Sequence, residues 1–250
     1  MSKNTPTKST GFEGERIAKR MARAGLCSRR EAEAWIAEGR VSVNGKKIDS
    51  PALNVTEADE ITVSGTKLGQ QEATRLWLYH KPSGLVTTHK DPQGRPTVFQ
   101  MLPKALPRVI SVGRLDLNSE GLLLLTNDGA LARQLELPAT GWIRRYRVRA
   151  YGTLPAGAIE AMREGVVIAG VHYGAIDVEI ERESGKNRWY VVSLREGKNR
   201  EVRKVFEHFG LQVSRLIRTS YGPFLLGQIE RGQVKEVTRK AMESSLPKAK

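Results

Sequence analysis

The sequence predicts an α+β protein built from two unequal units, and two patterns indicate this. In residues 15–63, two short helical stretches precede short strand-like segments around a turn. From residue 76 onward, strand-like runs such as LWLYHK, RVISVG and WYVVSL alternate with short helical ones. Such a mixture is typical of an α+β domain with a mixed, largely antiparallel sheet.

Composition predicts where the units begin and end. The N-terminus is small and polar, and the segment SGTKLGQQEAT lacks apolar periodicity, as a linker does. The expected parts are a disordered tail at 1–14, a compact module at 15–63, a linker at 64–74, a larger domain at 75–240 and a short tail at 241–250.

Helix and turn signals fill the compact module. Ile17 and Met21 recur at helical spacing, and Gly25 stands where that helix should end. Ser28 is a natural N-cap for a second helix, and Glu31 three residues later completes a capping box. The alternating segment RVSVNGKKI contains Asn-Gly and predicts a β-hairpin.

The two helices of the compact module are strongly basic. Six basic side chains and no acidic one lie between positions 16 and 30. Four of them recur at i, i+3, i+4 and i+7, so on a helix they form one cationic stripe. A solvated helix face would have the same pattern. The six residues are Arg16, Lys19, Arg20, Arg23, Arg29 and Arg30.

The charge of the whole chain favours a polyanionic partner. Lys and Arg number 41 against 27 Asp and Glu, which gives a net charge of +14 and a pI near 10.1. Residues 1–74 carry 12 basic and 10 acidic side chains, so most of the excess lies in the larger domain. Without an apolar run near the ~20 residues of a membrane span, or an apolar signal core, we expect a cytoplasmic protein and no membrane partner.

Cysteine and histidine usage bounds the chemistry. One cysteine, Cys27, excludes an internal disulfide and fits a reducing compartment. The four histidines have no ligand spacing, so we expect no metal. A zinc-dependent base deaminase is therefore set aside, because it would need His and Cys ligands.

The segment SVGRLDLNSEGLLLLTNDGALARQL is the most informative part of the larger domain. It predicts a strand, a loop, a strand buried on both faces, a turn and a helix that Asn127 or Asp128 caps. Asp116 lies on the loop beside Arg114 and Asn118. From the residues alone, an aspartate in such a loop is more often a turn or cap residue than a catalytic one.

Three motifs resemble known families. The stretch RIAKRMARAGLCSRREAEAWIAEGRVSVNGKKI is similar to the S-four-like RNA-binding module (the αL motif) that a small-subunit ribosomal protein also carries. The string VGRLDLNSEG resembles the signature of pseudouridine synthases of the RsuA type. Within that family, KPSGLVTTHKDPQGRPTVFQMLP resembles the branch that modifies large-subunit ribosomal RNA. The likeness to these families spans about residues 15–240.

The resemblance implies roles for three residues. Asp116 follows Gly-Arg-Leu and matches the family's catalytic aspartate. Tyr146, in RRYRVRAYG, matches the tyrosine that stacks on the flipped uracil, and Arg203, in EGKNREVRKVF, matches the arginine that pairs with the aspartate. Further RNA contacts are expected from basic neighbours of these motifs. They are Arg114, Arg144, Lys198, Arg200 and Lys204.

The implied reaction is the isomerisation of uridine in ribosomal RNA. It breaks the bond from C1′ to N1 and joins C1′ to C5 without oxidation, so no cofactor is expected. The partner is expected to be a hairpin loop or bulge of ribosomal RNA, because flipping a base there costs less than in duplex, and the protein is expected to be a monomer. Two alternatives remain open: a non-catalytic assembly factor that binds ribosomal RNA, and a synthase for small-subunit ribosomal RNA. The choice between a nucleophilic and a glycal mechanism also stays open.

Overall fold

The structure is a computed structural model that describes residues 14–70, 72–184 and 186–246. Most of the expected tail at 1–14, and the last four positions of the tail at 241–250, lie outside these ranges. The chain separates into two compact units, Met1–Ala73 and Thr74–Lys250. None of the described helices has the length and hydropathy that spanning a bilayer requires.

The first unit packs two helices against short strands. The helices are α1 (Ile17–Arg23) and α2 (Arg29–Ala37), and the strands are β1 (Glu15–Arg16), β2 (Val41–Val43), β3 (Lys46–Lys47), β4 (Asn54–Val55), β5 (Ile61–Val63) and β6 (Thr66–Lys67). In the described residues, β3, β2, β5 and β6 form one antiparallel sheet in that order, and β1 pairs with β4. Apolar side chains of both helices, Ile17, Met21 and Ile36 among them, are fully buried.

Local signals placed these elements correctly. The Ser28 hydroxyl accepts from the Glu31 amide at 3.1 Å, and the Glu31 carboxylate accepts from the Ser28 amide at 2.7 Å. The predicted capping box is therefore confirmed. Asn44 and Gly45 both have positive φ, 49° and 77°, as a two-residue turn of the primed type requires, so the predicted hairpin is confirmed too.

The sheet of the first unit continues into the segment expected to be a linker. Strand β6 pairs with β5 around a second two-residue turn, in which Ser64 and Gly65 again have positive φ. Leu68 packs against the core of this unit. Ser-Gly is a weaker turn signal than Asn-Gly, and β6 is only two residues long, so this pairing has little local signal in the sequence.

The second unit is built on one large sheet. Its strands are β7 (Leu76–Lys81), β8 (Ile110–Val112), β9 (Glu120–Thr126), β10 (Arg144–Tyr151), β11 (Val166–Ile168), β12 (Val171–Tyr173), β13 (Ile176–Ser184), β14 (Asn187–Leu194), β15 (Gln212–Tyr221), β16 (Phe224–Leu225) and β17 (Val234–Glu236). Its helices are α3 (Gly129–Glu136), α4 (Ala158–Glu164), α5 (Glu201–His208) and α6 (Arg239–Ser245), with 3-10 turns at Phe99–Met101 and Pro138–Thr140.

The order of strands in that sheet is β13, β14, β10, β15, β9, β7 and β17, with β8 beside β9 and β16 beside β15. Within the described residues, β9 and β15 form its parallel pair, and the other pairs are antiparallel. The predicted α+β class with a mixed, largely antiparallel sheet is therefore confirmed. The hairpin of β11 and β12 lies apart from this sheet.

Strand β9 is buried along its whole length, as its run of leucines predicted. Leu122 and Leu124 belong to one apolar cluster, whereas Leu123 and Leu125 belong to another, because alternate side chains of a strand point to opposite faces. Gly121 has a φ of +102°, and a Cβ there would overlap the backbone of Arg218. Glycine thus allows β9 and β15 to approach each other closely.

Two helices, α3 and α6, contribute to the apolar cluster around Leu122. Asp128, one of the two predicted caps, accepts from the amides of Ala130 (2.7 Å) and Leu131 (3.4 Å) and begins α3. Helix α6 continues to Ser245, past the expected domain end at 240. Met242 is buried in the cluster around Leu122, which explains why the helix extends into the expected tail.

Candidate active site

A cleft of about 1000 Å³ opens in the second unit. The predicted site residues that line it are Arg114, Asp116, Arg144, Tyr146, Lys198 and Arg200. Two others, Arg203 and Lys204, are outside the lining. Among the described residues of the lining, eight side chains are basic and five are acidic. This excess of positive charge favours a polyanion.

Asp116 lies on the loop 113–119, which joins β8 to β9, and its side chain is half-buried. The loop is closed by a turn in which the Ser119 amide donates to the Asp116 carbonyl at 3.0 Å. The Thr87 hydroxyl donates to the Leu115 carbonyl at 2.8 Å and accepts from the Leu115 amide at 3.3 Å. Hydrogen bonds on both sides of Asp116 therefore fix its main chain.

A buried lysine also contacts the main chain of this loop. The Lys81 ammonium, which has three N–H donors, lies within hydrogen-bond distance of four main-chain carbonyls, those of Pro82 (3.0 Å), Asp116 (3.2 Å), Leu117 (3.3 Å) and Ser119 (2.8 Å). Burial lowers the pKa of Lys81 to about 8, and the negative charges of Asp116 and Glu120 oppose that shift. Sequence reasoning missed Lys81. Its place on β7, in alternation with buried Trp77 and Tyr79, was the available signal.

Arg203 contacts the loop rather than the carboxylate. Its Nη2 donates to the carbonyl of Asn118 at 2.9 Å and its Nη1 to the carbonyl of Val213 at 3.0 Å. In the part of the chain that the structure describes, Asp116 forms no ion pair within 4.0 Å, so the expected direct pair with Arg203 is not formed. Burial and the charge of Arg200 lower the pKa of Arg203, whereas the charge of Asp116 acts in the opposite direction.

Tyr146 faces the cleft because β10 alternates. Tyr146, Val148 and Ala150 are buried, whereas Arg145 and Arg149 on the other face are exposed, because alternate side chains of a strand point to opposite faces. The ring of Tyr146 therefore lines the same cleft as the Asp116 loop.

Comparison with known proteins identifies the family of this cleft. The family profile described as RNA pseudouridylate synthase matches residues 75–208, and the S4 domain profile matches residues 15–61. The chain belongs to the RNA pseudouridylate synthase family. This pseudouridine synthase is therefore an isomerase that acts on RNA, and the family predicted from its motifs is confirmed.

Similar proteins align with this synthase over nearly its whole length. An RNA pseudouridine synthase of Rickettsia felis is 50% identical over 229 residues, which cover 92% of this chain and 99% of that protein. The ribosomal large subunit pseudouridine synthase B of Pasteurella multocida is 42% identical and matches 90% of this chain and 67% of its own. A crystal structure of a pseudouridylate synthase superposes with a TM-score of 0.67 at 25% identity, over 93% of this chain and 100% of that one.

The S4 domain of the synthase carries the predicted basic helices, but an acid neutralises part of them. The Glu15 carboxylate forms ion pairs with Lys19 (3.2 Å) and Arg23 (2.7 Å). Burial raises the pKa of Glu15, but the hydrogen bonds and charges of these two residues outweigh it and lower the pKa. The Arg16 guanidinium donates to the Ala52 carbonyl. Glu15 lies one residue before the basic segment 16–30, so the predicted stripe did not include it.

Two glutamates of the synthase's cleft were also missed. Glu196 and Glu201 line it, and Glu201 is 3% exposed. Burial raises the pKa of Glu201 to about 7, and its hydrogen bond with Glu196 adds to the rise. The pair therefore retains one proton close to neutral pH. In the described parts of the chain, no group of three or more His, Cys, Asp or Glu side chains is arranged to hold a metal.

Proposed function

We propose that this synthase isomerises a uridine of ribosomal RNA, in the large subunit, and that Asp116 is its catalytic carboxylate. The observation that carries the proposal is the place of Asp116, on a loop whose main chain is held by Lys81 and Arg203 at the edge of a basic cleft. Relatives from three bacteria are named ribosomal large subunit pseudouridine synthase B, which supports the ribosomal substrate.

The reaction needs one carboxylate and no group from outside. The bond from C1′ to N1 breaks, the uracil rotates, and C1′ is joined to C5, so the product has the same atoms as the substrate. The Asp116 carboxylate attacks the sugar or the base, or stabilises the cationic ribose as the bond breaks. Tyr146 provides an aromatic face for the uracil, and its phenol can assist proton transfer.

The target base must leave its stack to reach Asp116. Unstacking costs a few kcal/mol and less in a hairpin loop or bulge, so we propose such a loop as the substrate. Arg114, Arg144, Lys198 and Arg200 surround the cleft and would contact phosphates there. The S4 domain would bind structured RNA through Arg20, Arg29 and Arg30 and the other basic residues of its helices.

Two measurements test this proposal. Pseudouridine is mapped in ribosomal RNA from cells with and without the gene, and we expect one or a few large-subunit positions to lose the modification. Purified wild-type protein and the Asp116→Asn variant are then incubated with unmodified ribosomal RNA. The variant keeps the volume of the side chain and removes its charge, so turnover should vanish while the RNA dissociation constant changes less than about threefold.

Asp177→Asn is the matched control, because Asp177 is an exposed aspartate on β13 outside the cleft. It should turn over at the wild-type rate. Product above background from Asp116→Asn would remove Asp116 from the chemistry. Loss of modification in the small subunit alone would correct the substrate, and binding without any product from wild type would favour an assembly factor.

A further inference from the structure

Arg218 lies in the cleft on β15, between the strand that carries Tyr146 and the strand that follows the Asp116 loop. Its register partners are Tyr146 in β10 and Gly121 in β9. Arg218 is 3% exposed and lines the cleft together with Asp116 and Tyr146. The sheet therefore places a buried cation beside the two side chains that we propose for the reaction.

Most of the hydrogen-bonding capacity of this guanidinium is unused. Its Nε donates to the Leu122 carbonyl at 2.7 Å. In the part of the chain that the structure describes, neither terminal nitrogen of Arg218 donates a hydrogen bond, and Nη2 is also closed off from solvent. A buried charged donor without an acceptor is costly, so such groups in proteins usually have a partner or await one.

The terminal nitrogens of the other buried arginines of the site have acceptors within the protein. Both terminal nitrogens of Arg203 donate to main-chain carbonyls. Arg144 donates from Nη1 to the Arg195 carbonyl at 2.5 Å and from Nη2 to the Tyr221 hydroxyl at 3.0 Å. Arg218 therefore differs from its neighbours because neither of its terminal nitrogens has an acceptor among the described residues.

Charge adds to this difference. The guanidiniums of Arg144 and Arg218 both contact the ring of Tyr221, with 4.8 Å and 5.1 Å from Cζ to the ring centroid. Among the described residues, neither arginine forms an ion pair with a carboxylate. Two buried cations on one aromatic ring repel each other, and the ring offsets this repulsion only in part. An anion bound beside Arg218 would compensate both charges.

We propose that Arg218 binds a phosphate of the RNA backbone adjacent to the uridine that is modified, an inference that rests on the proposed function. A phosphate supplies the counter-charge that the two guanidiniums lack, and its oxygens accept strong charge-assisted hydrogen bonds from arginine. A uracil carbonyl would accept a hydrogen bond but would leave both cations without a counter-charge. Arg218 would thus anchor the flipped nucleotide by its backbone, while Asp116 and Tyr146 act on its sugar and base.

The test is a double-mutant cycle between the protein and the RNA. A hairpin that contains the mapped uridine is made with an uncharged methylphosphonate in place of each phosphate near that uridine, one at a time. Dissociation constants are measured with the full-length wild-type protein. We expect one position next to the uridine to weaken binding at least tenfold and to make the salt slope shallower by about 0.7–0.9, as for one lost phosphate contact.

The protein side of the cycle uses Arg218→Met, with Arg149→Gln as control. Arg149 is an exposed arginine on β10, on the face opposite Tyr146 and outside the cleft lining. The methylphosphonate that weakens wild-type binding should raise the dissociation constant of Arg218→Met less than twofold, because the contact is already gone. The dissociation constant of Arg149→Gln should still rise the full tenfold. If Arg218→Met does not fold, Arg218→Lys takes its place in the cycle, and we expect the coupling to shrink.

Each result of this cycle either supports or overturns the proposed phosphate contact. If no methylphosphonate near the uridine weakens wild-type binding more than twofold, Arg218 binds no phosphate there. If the losses from the variant and the methylphosphonate multiply independently, Arg218 contacts a base or has a purely structural role, and the proposal is overturned. Absence of pseudouridine in mapped ribosomal RNA would instead contradict the proposed function, and that result is obtained before any binding measurement.

Discussion

The S4 domain and the cleft of this synthase differ in the distance along the chain over which their key contacts act. In the S4 domain, the capping box joins residues three positions apart, and Asn44-Gly45 makes a turn on its own. In the cleft, Lys81 reaches Asp116 across 35 positions and Arg203 reaches Asn118 across 85. A basic RNA-binding surface can thus be specified locally, whereas the geometry around Asp116 depends on the whole sheet.

The largest expected effect is that of Lys81→Met. Methionine fills the space but removes the ammonium donor from the carbonyls of Pro82 and Ser119, at about 1–3 kcal/mol for each group that stays buried and unpaired. The carbonyls of Asp116 and Leu117 still accept from the amides of Ser119 and Gly84. We expect the free energy of unfolding of the second unit to fall by about 3 kcal/mol, and turnover to fall at least about 100-fold, about 2.7 kcal/mol of barrier. Urea denaturation and single-turnover pseudouridine formation measure the two quantities.

Lys235→Met is the control for this prediction. Lys235 is exposed on β17 of the same sheet, so its loss should change stability by less than about 0.5 kcal/mol. A Lys81→Met protein that turns over within threefold of wild type would show that the Asp116 loop keeps its geometry without the ammonium. The contrast between the two regions would then lose its clearest case.

This contrast also explains what the sequence could predict. Helices and turns of the S4 domain follow from residues within four positions of each other, and the buried strand β9 follows from its leucine run. Asp116 and Tyr146 were identified through resemblance to a family, not through their spacing. The loop contacts of Lys81 arise only when strands from distant parts of the chain come together, and no local pattern encodes them. Glu196 and Glu201 are only five positions apart, but the burial that raises the pKa of Glu201 depends on the packing of the whole unit.

Removing residues 1–73 is expected to have the next largest effect. The second unit has its own apolar clusters, so it should fold alone. Its affinity for ribosomal RNA should fall about 30-fold, and the salt slope should become shallower by about 2, as for two to three lost phosphate contacts. Turnover at saturating RNA should stay within threefold, because the cleft lies in the second unit. Binding isotherms at several salt concentrations measure both.

Two double variants of the full chain locate the loss. Arg29→Gln with Arg30→Gln removes exposed charge from α2, and it should reproduce part of the lost affinity. Lys46→Gln with Lys47→Gln removes the same charge from the hairpin and should cost less. Unchanged affinity and salt slope in the truncated protein would mean that the basic helices are only a solvated face. An insoluble truncation would mean that the two units do not fold separately.

Arg203→Lys tests a long-range contact of the cleft while it preserves the positive charge. Lysine can donate to the carbonyl of Asn118 or of Val213 but cannot span both as the guanidinium does. The loop should lose its fixed position, so we expect kcat to fall at least about tenfold, roughly 1.4 kcal/mol. RNA affinity should barely change, because Arg203 is outside the cleft lining.

Single-turnover rates and dissociation constants on one RNA hairpin separate these two effects. Arg163→Lys, an exposed position on α4, is the matched control and should behave as wild type. Equal losses in rate and affinity would mean that Arg203 acts as a phosphate contact. No loss in either would remove it from the support of Asp116.

The smallest expected effect concerns Glu201, whose raised pKa makes stability depend on pH. Glu201 titrates near 4.5 when unfolded and near 7 when folded, so folding takes up a proton between these values. Stability therefore falls as pH rises from about 4.5 to about 7, and the full cost is present above pH 7. Glu201→Gln resembles the protonated side chain at every pH, and its amide oxygen can still accept from the Lys198 amide.

We expect Glu201→Gln to have a higher free energy of unfolding than wild type, and this difference should be about 1–2 kcal/mol larger at pH 8 than at pH 5. That is smaller than the ~1.4 kcal/mol per pKa unit that full coupling would give. Glu196, whose pKa is lowered to about 2, loses its contribution only at lower pH and does not disturb this window. Urea denaturation across pH 5–8 measures the difference, with Glu207→Gln on the same helix as control because Glu207 is exposed. Parallel stability curves for wild type and Glu201→Gln over this range would show that the shared proton of the cleft does not exist.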